Sequence, residues 1–208
     1  MGGYVALLVF TGVLAVADWL AVARGDDRTR TFTKPAVMVA LIAAVIVGAP
    51  AGARTVWFVV ALLASLAGDV ALQRDERWFV VGLGSFLLAH LAYVAGMSRL
   101  DPSIGWLAVG ALLCVAALVA VGRRIVSGAA ASDPALRVPV IAYVAVISSM
   151  VVVGLGTRRP AIVVGALSFY VSDSLLGWNR FVARAPWRDV AVMVTYHVAQ
   201  AAFVVSLF

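Results

Sequence analysis

The sequence predicts an all-α integral membrane protein, a single bundle of eight transmembrane helices formed by residues 1–208. Three observations point to this fold class. Of the 208 residues, 64% are hydrophobic and only 12% are charged, whereas soluble domains are about 45–50% apolar and about 25% charged. The mean hydropathy is +1.06. Apolar runs long enough to cross a hydrocarbon core about 30 Å thick recur along the whole chain, with short connections between them.

Eight segments qualify as spans, and short connections leave no room for a soluble domain. In order they are 3–23, 35–50, 55–73, 79–98, 103–122, 138–155, 160–179 and 189–207. The second is short, but a bundle of seven spans would leave its apolar run in water. The first lacks a basic flank and a small-residue cleavage site, so we expect a mature span and not a signal peptide. The longest connection, 122–136, is rich in small residues and is predicted to be a linker without a motif.

The basic residues indicate an orientation. Twelve of the 16 lysines and arginines lie in the connections after spans one, three, five and seven, and four lie in the opposite connections. Basic residues favour the cytoplasmic side, where they also meet anionic headgroups. We therefore expect a multi-pass protein of the cell (plasma or inner) membrane with both termini outside. The net charge of +6 is explained in this way without nucleic acid, and the single Cys114 excludes an intramolecular disulfide.

A faint internal repeat has an offset of 104 residues. In this repeat Asp69 corresponds to Asp173, and Tyr93 corresponds to His197. Four spans in each half would give a parallel 4+4 repeat, because an even number of crossings restores the chain direction. Chance matches are frequent in so apolar a chain, so both interpretations stay open.

Polar side chains lie at one level of the predicted bundle, and this points to one site. Asp69 is five residues before Arg74, and Asp173 is seven before Arg180. At about 1.5 Å per residue, they lie roughly 7–14 Å inside the cytoplasmic boundary. The same level holds Asp18, Tyr143, Tyr196 and His197. A carboxylate in hydrocarbon costs roughly 2.5–3.5 kcal/mol on insertion scales, so such a group usually faces a polar interior and has a function.

Helical spacing places a polar stripe on each of three spans. Most of the polar residues could also have a structural role instead of a functional one. The stripes are Ser65, Asp69 and Gln73; Phe86, His90, Tyr93 and Met97; and Tyr196, His197 and Gln200. Asp18 could be an interfacial residue that reaches outward, His90 a hydrogen-bonded histidine, and the tyrosines interhelical hydrogen-bond donors. The aspartates could also be protonated structural carboxyls. Lys34 and Asn179 are expected at the rim.

Several chemistries lack support in the sequence. It contains no GxSxG, HExxH or Walker-type motif. Zinc would need about three protein ligands, and the chain has two histidines, neither with a ligand at i+4. We therefore expect no cofactor and no essential metal, although His90, His197 and the two aspartates leave a metal site open.

Five segments together resemble the YhhN-like lysoplasmalogenase family of multispan membrane proteins. They are TKPAVMVALI, SLAGDVAL, VGLGSFLLAHLAYV, GALSFYVSDSLLGWNRF and TYHVAQAAF, and they cover most of the chain in the expected order. The family pattern more often has a tyrosine where this chain has His197. This difference leaves the role of His197 open and gives more weight to Tyr196 and Gln200.

The resemblance implies hydrolysis of the vinyl ether bond of lysoplasmalogens to a fatty aldehyde and a glycerophospho-base. Asp69 and Asp173 would then be the acid-base pair, with Tyr196, His90 and Gln200 orienting water or relaying protons. Lys34 or a nearby arginine would hold the phosphate. The other expected substrate contacts are Asp18, Tyr93, Tyr143, Ser172, Asn179 and His197. The expected partners are a lysophospholipid substrate and membrane lipid. A proton-coupled transporter, or a structural or lipid-binding protein, is the alternative.

Overall fold

The computed structural model describes residues 2–208, which form eight long helices and no strands. The helices are α1 (Gly2–Arg24), α2 (Asp27–Gly48), α3 (Ala53–Leu72), α4 (Phe79–Met97), α5 (Ile104–Ser132), α6 (Arg137–Gly156), α7 (Pro160–Phe181) and α8 (Pro186–Val205). Single 3₁₀ turns, Glu76–Trp78 and Pro134–Leu136, precede α4 and α6. The predicted all-α fold class is confirmed.

The protein is a multi-pass membrane protein. Helices α1 to α7 are long and apolar enough to cross a membrane, α4 and α6 each together with the preceding 3₁₀ turn. Helix α8 is 20 residues long but is not among these seven. It is more polar because it carries Arg188, Asp189, His197 and Gln200. His197 and Gln200 are nevertheless buried in the bundle.

Seven helices form a closed ring, and α5 lies outside it. Around the ring, α1 packs on α2, then α3, α4, α6, α7 and α8 follow, and α8 returns to α1. Helix α8 also contacts α2 and α3, and α5 packs against α6 and, through its C-terminal part, against α7. Helices α1 and α5 would be equivalent in a 4+4 repeat, yet only α1 is a member of the ring. The internal repeat stays a prediction.

Helix α2 begins at Asp27, eight residues before the predicted start of the second span. The cause is an N-cap: the carboxylate of Asp26 accepts hydrogen bonds from the amide (3.0 Å) and the hydroxyl (2.5 Å) of Thr29. These hydrogen bonds lower the pKa of Asp26 below its usual value. The longer helix carries Lys34 into the bundle, where it is 6% exposed. The expectation that Lys34 lies at the rim is wrong.

The predicted linker at 122–136 is also mostly helical. Residues Arg123–Ser132 continue α5 after one π-helical stretch, Leu118–Gly122. Ile125 and Ala129 are buried on the inner face of this extension. A Cβ at Gly128 would lie 2.1 Å from the carbonyl oxygen of Phe181, so only glycine allows α5 to approach the end of α7 this closely. The small residues of this segment therefore serve helix packing.

Close packing of α3 on α4 fixes the helix that bears Asp69. A Cβ at Gly68 would lie 2.7 Å from the ring of Phe86, and one at Gly82 would lie 2.5 Å from the side chain of Leu72. Small residues at such positions let neighbouring membrane helices approach closely. The ring of Phe86 packs in turn, edge to face, on Tyr196 of α8.

Candidate active site

Asp69 is the centre of a buried charged cluster built by three helices. Its carboxylate is 0% exposed. The ammonium of Lys34 on α2 lies 2.9 Å from Oδ1, and the hydroxyl of Tyr196 on α8 donates a hydrogen bond of 2.6 Å to Oδ2. The Lys34 ammonium also lies 5.8 Å from the centre of the Tyr196 ring. A charge buried in a membrane bundle needs such compensation, and here both oxygens have it.

Asp173 is the centre of a second cluster, built by α4, α6 and α7. The hydroxyl of Tyr143 donates a hydrogen bond of 2.5 Å to its Oδ2, and Nε2 of His90 is 3.6 Å from the same oxygen. The His90 ring packs edge to face on Tyr143 and on Phe169, with ring centres 5.3 and 4.6 Å apart. The Asp173 side chain is 12% exposed. Asp173 is therefore the more accessible of the two carboxyls.

Both aspartates line one cavity of about 640 Å³. Its buried end is formed by Asp69, Lys34 and Tyr196, and its outer end reaches exposed residues such as Asp27 and Arg184. The cavity therefore opens at the end of the bundle that carries the α1–α2, α3–α4 and α7–α8 connections. Of the predicted polar level, Asp69, Asp173 and Tyr196 line this cavity, whereas Asp18, Tyr143 and His197 do not.

Arginines surround the mouth of the cavity. Arg30 is half-buried one turn before Lys34 on α2, with Nη2 4.0 Å from Sδ of Met193 and with no hydrogen-bond partner for Nε in residues 2–208. Arg184 lies near Asp189, with 3.7 Å between Nη2 and Oδ2. The family resemblance implied Lys34 or a nearby arginine as a phosphate ligand, without specifying the arginine. The i to i+4 spacing of Arg30 and Lys34 was the signal that could have found the first.

The expected substrate contacts Ser172 and Asn179 line the cavity as well. The Ser172 hydroxyl donates to the carbonyl of Val192 (3.1 Å) and joins α7 to α8. The side-chain amide of Asn179 donates to Asp189 (2.9 Å) at the mouth. Tyr143 does not line this cavity but contacts Asp173 from α6, as described above.

The remaining candidates are buried behind the cavity and are absent from its lining: Asp18, His90, Tyr93, His197 and Gln200. The Tyr93 hydroxyl donates to Oε1 of Gln200 (2.5 Å). These residues do not share the cavity surface, although His90 contacts Asp173 from behind it.

Two of these buried candidates, His197 and Asp18, form hydrogen bonds that connect α1 to other helices. The indole of Trp19 donates to Nδ1 of His197 (3.1 Å), and the hydroxyl of Thr33 donates to Oδ1 of Asp18 (2.7 Å). Asp18 is 0% exposed, so the interpretation as an interfacial residue that reaches outward is wrong. The two contacts fix α1 against α8 and α2.

No three His, Cys, Asp or Glu side chains of residues 2–208 come together in a way that could hold a metal ion. The absence of a metal requirement stays a prediction that chelation can test.

A known family matches the chain from the first turn of α2 through α8, and α1 lies outside the matched range. Residues 29–207 match the YhhN family. The chain belongs to the YhhN family. The matched range contains every candidate site residue except Asp18, and the resemblance found in the sequence is confirmed.

The relatives described below are all named lysoplasmalogenases. A lysoplasmalogenase of Mycobacterium tuberculosis (strain CDC 1551 / Oshkosh) is 34% identical over 181 residues, which cover 83% of this chain and 68% of the relative. Lysoplasmalogenase TMEM86B of Rattus norvegicus is 34% identical over 156 residues, 73% of this chain and 61% of that protein. The Homo sapiens protein of the same name is 33% identical over 153 residues, 73% and 63% of the two chains. No solved structure matches the chain.

Proposed function

We propose that this protein is a lysoplasmalogenase, which hydrolyses the vinyl ether bond of a lysoplasmalogen to a fatty aldehyde and a glycerophospho-base. The observation that carries the proposal is the pair of carboxyl groups, Asp69 and Asp173, on one cavity with arginines at its mouth. The relatives named lysoplasmalogenases support it. They do not favour a proton-coupled transporter.

The reaction needs an acid and an anion at neighbouring positions. Protonation of the β-carbon of the vinyl ether generates an oxocarbenium ion, and water then adds to the carbon bonded to oxygen. The resulting hemiacetal releases the glycerophospho-base as an alcohol and the chain as an aldehyde, so one water is consumed. Two carboxyl groups in a cavity of low dielectric can provide the acid and the anion.

Asp173 is the proton donor in this proposal. Among the described residues, its only potential ion-pair partner within 4.0 Å is His90, whereas Asp69 has the Lys34 ammonium at 2.9 Å. The ammonium stabilises Asp69 as a carboxylate. Asp173 is also 12% exposed, against 0% for Asp69. A protonated Asp173 would thus reach the substrate while Asp69 supplies negative charge nearby.

After proton transfer, the Asp173 carboxylate would stabilise the oxocarbenium ion and then accept a proton from the attacking water. This acid-then-base sequence resembles that of other enzymes that pass through oxocarbenium-like states. Tyr143 holds one oxygen of Asp173, which leaves the other oxygen for these transfers. Tyr196 holds Asp69 beside Lys34. His90 and Gln200 would act from behind, by orienting these groups.

Arg30 and Arg184 are the proposed ligands of the substrate phosphate. Both line the cavity, and guanidinium groups bind phosphate with two parallel hydrogen bonds. The expected phosphate ligand was Lys34 or a nearby arginine; because Lys34 pairs with Asp69, the arginine Arg30 is the proposed ligand. Arg30→Gln should raise KM for the lysophospholipid more than it lowers kcat, because phosphate binding is similar in the ground and transition states.

The proposed location is the cell membrane, with the cavity open to the cytoplasmic leaflet and both termini outside. The distribution of basic residues supports this orientation. The test is a variant with Cys114→Ala and Arg28→Cys. A membrane-impermeant maleimide should label it only in permeabilised cells, and labelling of intact cells would reverse the orientation.

Aldehyde release from purified protein tests the activity directly. The substrate is a 1-alkenyl lysophosphatidylcholine, and the matched control is the 1-alkyl lipid, which lacks only the double bond. We expect aldehyde from the first lipid alone. A protein that releases no aldehyde from either lipid, in detergent and in liposomes, would refute the proposed function.

A further inference from the structure

A second, smaller pocket lies on the other side of Asp173. It has a volume of about 80 Å³ and lies between α4, α5, α6 and α7. We call it the α5 groove and define it by five apolar residues of its wall: Leu83 on α4, Ala117 and Ile125 on α5, and Val144 and Ile147 on α6. Nothing in the acid-base mechanism requires this space.

The α5 groove and the polar cavity meet. Six residues line both, namely Leu72, Phe79, Phe86, Asp173, Leu176 and Arg180. The proposed proton donor is therefore at the junction of an apolar space and a polar one. The polar side contains Lys34 and Arg30, and the groove side contains mostly hydrocarbon and aromatic surface.

The wall on α5 has an unusual backbone. Leu118–Gly122 form a π-helical stretch, and Gly122 lines the groove. Such π-bulges inside α-helices often occur at functional sites. A Cβ at Gly122 would contact only the Leu118 side chain, at 2.9 Å. The missing side chain at this position leaves the groove open beside the bulge.

The two tyrosine hydroxyls on the groove wall have neighbouring polar groups, and the wall also contains Ser174, next to Asp173, and Arg180, which pairs with Glu76. The hydroxyl of Tyr143 is bonded to Asp173. The hydroxyl of Tyr170 lies 3.5 Å from the hydroxyl of Ser148. The groove therefore offers an apolar surface to a ligand, apart from the end at which it meets the cavity.

We infer that the α5 groove binds the first carbons of the substrate's hydrocarbon chain, those next to the vinyl ether. The inference rests on the proposed function and adds the position of the chain. A lysoplasmalogen carries its scissile bond between an apolar chain and a phosphate headgroup. With the phosphate at Arg30 and the chain in the groove, that bond lies at Asp173, the residue shared by both spaces.

The size of the groove limits how much of the chain it holds. Its volume of about 80 Å³ is small beside the 640 Å³ of the polar cavity. Leu176, which lines both the groove and the polar cavity, is 38% exposed. The remaining carbons would leave the groove and extend among the lipid chains. The enzyme should therefore discriminate between substrates by the structure of the carbons next to the vinyl ether bond more than by the total length of the chain.

Photolabelling tests the position of the chain independently of turnover. The probe is a 1-alkyl lysophosphatidylcholine with a diazirine on an early carbon of the chain. It contains no vinyl ether. In the wild-type protein we expect labelled peptides from the groove walls on α5 and α6. Ala117→Phe fills the groove and should lower this labelling about tenfold or more, because overpacking a closed site is strongly unfavourable.

Ala116→Phe is the matched control, since Ala116 is exposed on α5 and does not line the groove. It should label like the wild-type protein. Val144→Phe blocks the groove from α6 and gives a second variant if Ala117→Phe fails to fold. Equal labelling of the wild-type and both groove variants, or labels only on lipid-facing residues outside the groove, would overturn the inference.

Aldehyde release separates this inference from the proposed function. If the groove inference is correct, Ala117→Phe should raise KM for the alkenyl lipid about tenfold, with a much smaller change in kcat. Aldehyde release with unchanged KM in Ala117→Phe would refute the groove alone. Groove labelling without any aldehyde would refute the proposed activity and leave the chain-binding site supported.

Discussion

Replacing Asp173 by asparagine removes the proposed proton donor and keeps nearly the same shape. The amide oxygen can still accept the hydrogen bond that Tyr143 donates to Oδ2 in the wild-type protein. Among residues 2–208, the only ion pair that Asp173 loses is the contact with His90 at 3.6 Å. We therefore expect Asp173→Asn to fold and to insert like the wild-type protein.

The expected loss of activity follows from the surroundings of the two carboxyls. A positioned general acid or base contributes about 10²–10⁴-fold in rate, which corresponds to about 2.7–5.5 kcal/mol in the barrier. Asp69 cannot take over the proton transfer, because Lys34 and Tyr196 engage both of its oxygens. The kcat of Asp173→Asn should thus fall at least about a hundredfold.

The assay is the release of aldehyde, coupled to an aldehyde dehydrogenase, at saturating substrate. Asp101→Asn is the control, since Asp101 is an exposed residue of the α4–α5 connection, away from the cavity. It should keep the wild-type kcat. A folded Asp173→Asn protein with the wild-type kcat would refute the assignment of the proton donor. Thermal unfolding in detergent shows whether each variant is folded.

Three further predictions concern stability and metal. Lys34→Met should lower the free energy of unfolding in detergent by about 3–5 kcal/mol, because a buried carboxylate loses its partner. Adding Asp69→Asn should restore part of the lost stability. A double variant no more stable than Lys34→Met would contradict this reasoning. Gly68→Ala should destabilise by about 1–3 kcal/mol through the aromatic ring at 2.7 Å, whereas Gly84→Ala, with open space around it, should not; equal unfolding temperatures would refute the close packing. Treatment with a chelator should leave kcat unchanged, and activity lost to the chelator and regained with zinc would overturn the metal-free mechanism.

Much of the site could be found in the sequence because the membrane restricts where charges occur. Asp69 and Asp173 were identified from their depth in apolar runs, and both line the same cavity. Of the stripe on the last helix, Tyr196 contacts Asp69, whereas His197 and Gln200 contact Trp19 and Tyr93. The stripe could not show which helix faces which. The pairing of Tyr143 with Asp173 and of Tyr196 with Asp69 depends on the order of helices around the ring.

Two errors in the sequence analysis have one physical cause. Polar and small residues were treated as connections, although Asp27–Lys34 and Arg123–Ser132 are helical. Hydropathy indicates which residues can lie in the hydrocarbon core of the membrane. A helix can extend beyond this core, so its ends are not given by the limits of the apolar run. The cap formed by Asp26 and Thr29 was a local signal for the true start of α2.

The sequence by itself determined the membrane class and the eight helices, and it predicted a common depth for the polar groups. It could do so because hydrocarbon strongly disfavours charges and unpaired backbone groups, whatever the tertiary arrangement. Only the tertiary structure decided the ring order, the place of α5 outside it, the partner of each aspartate and the groove beside Asp173. The bilayer solvates all apolar helices similarly, so it does not specify which helices pack together. Shape complementarity at close contacts, such as Gly68 on Phe86 and Gly128 on Phe181, determines the neighbours of each helix.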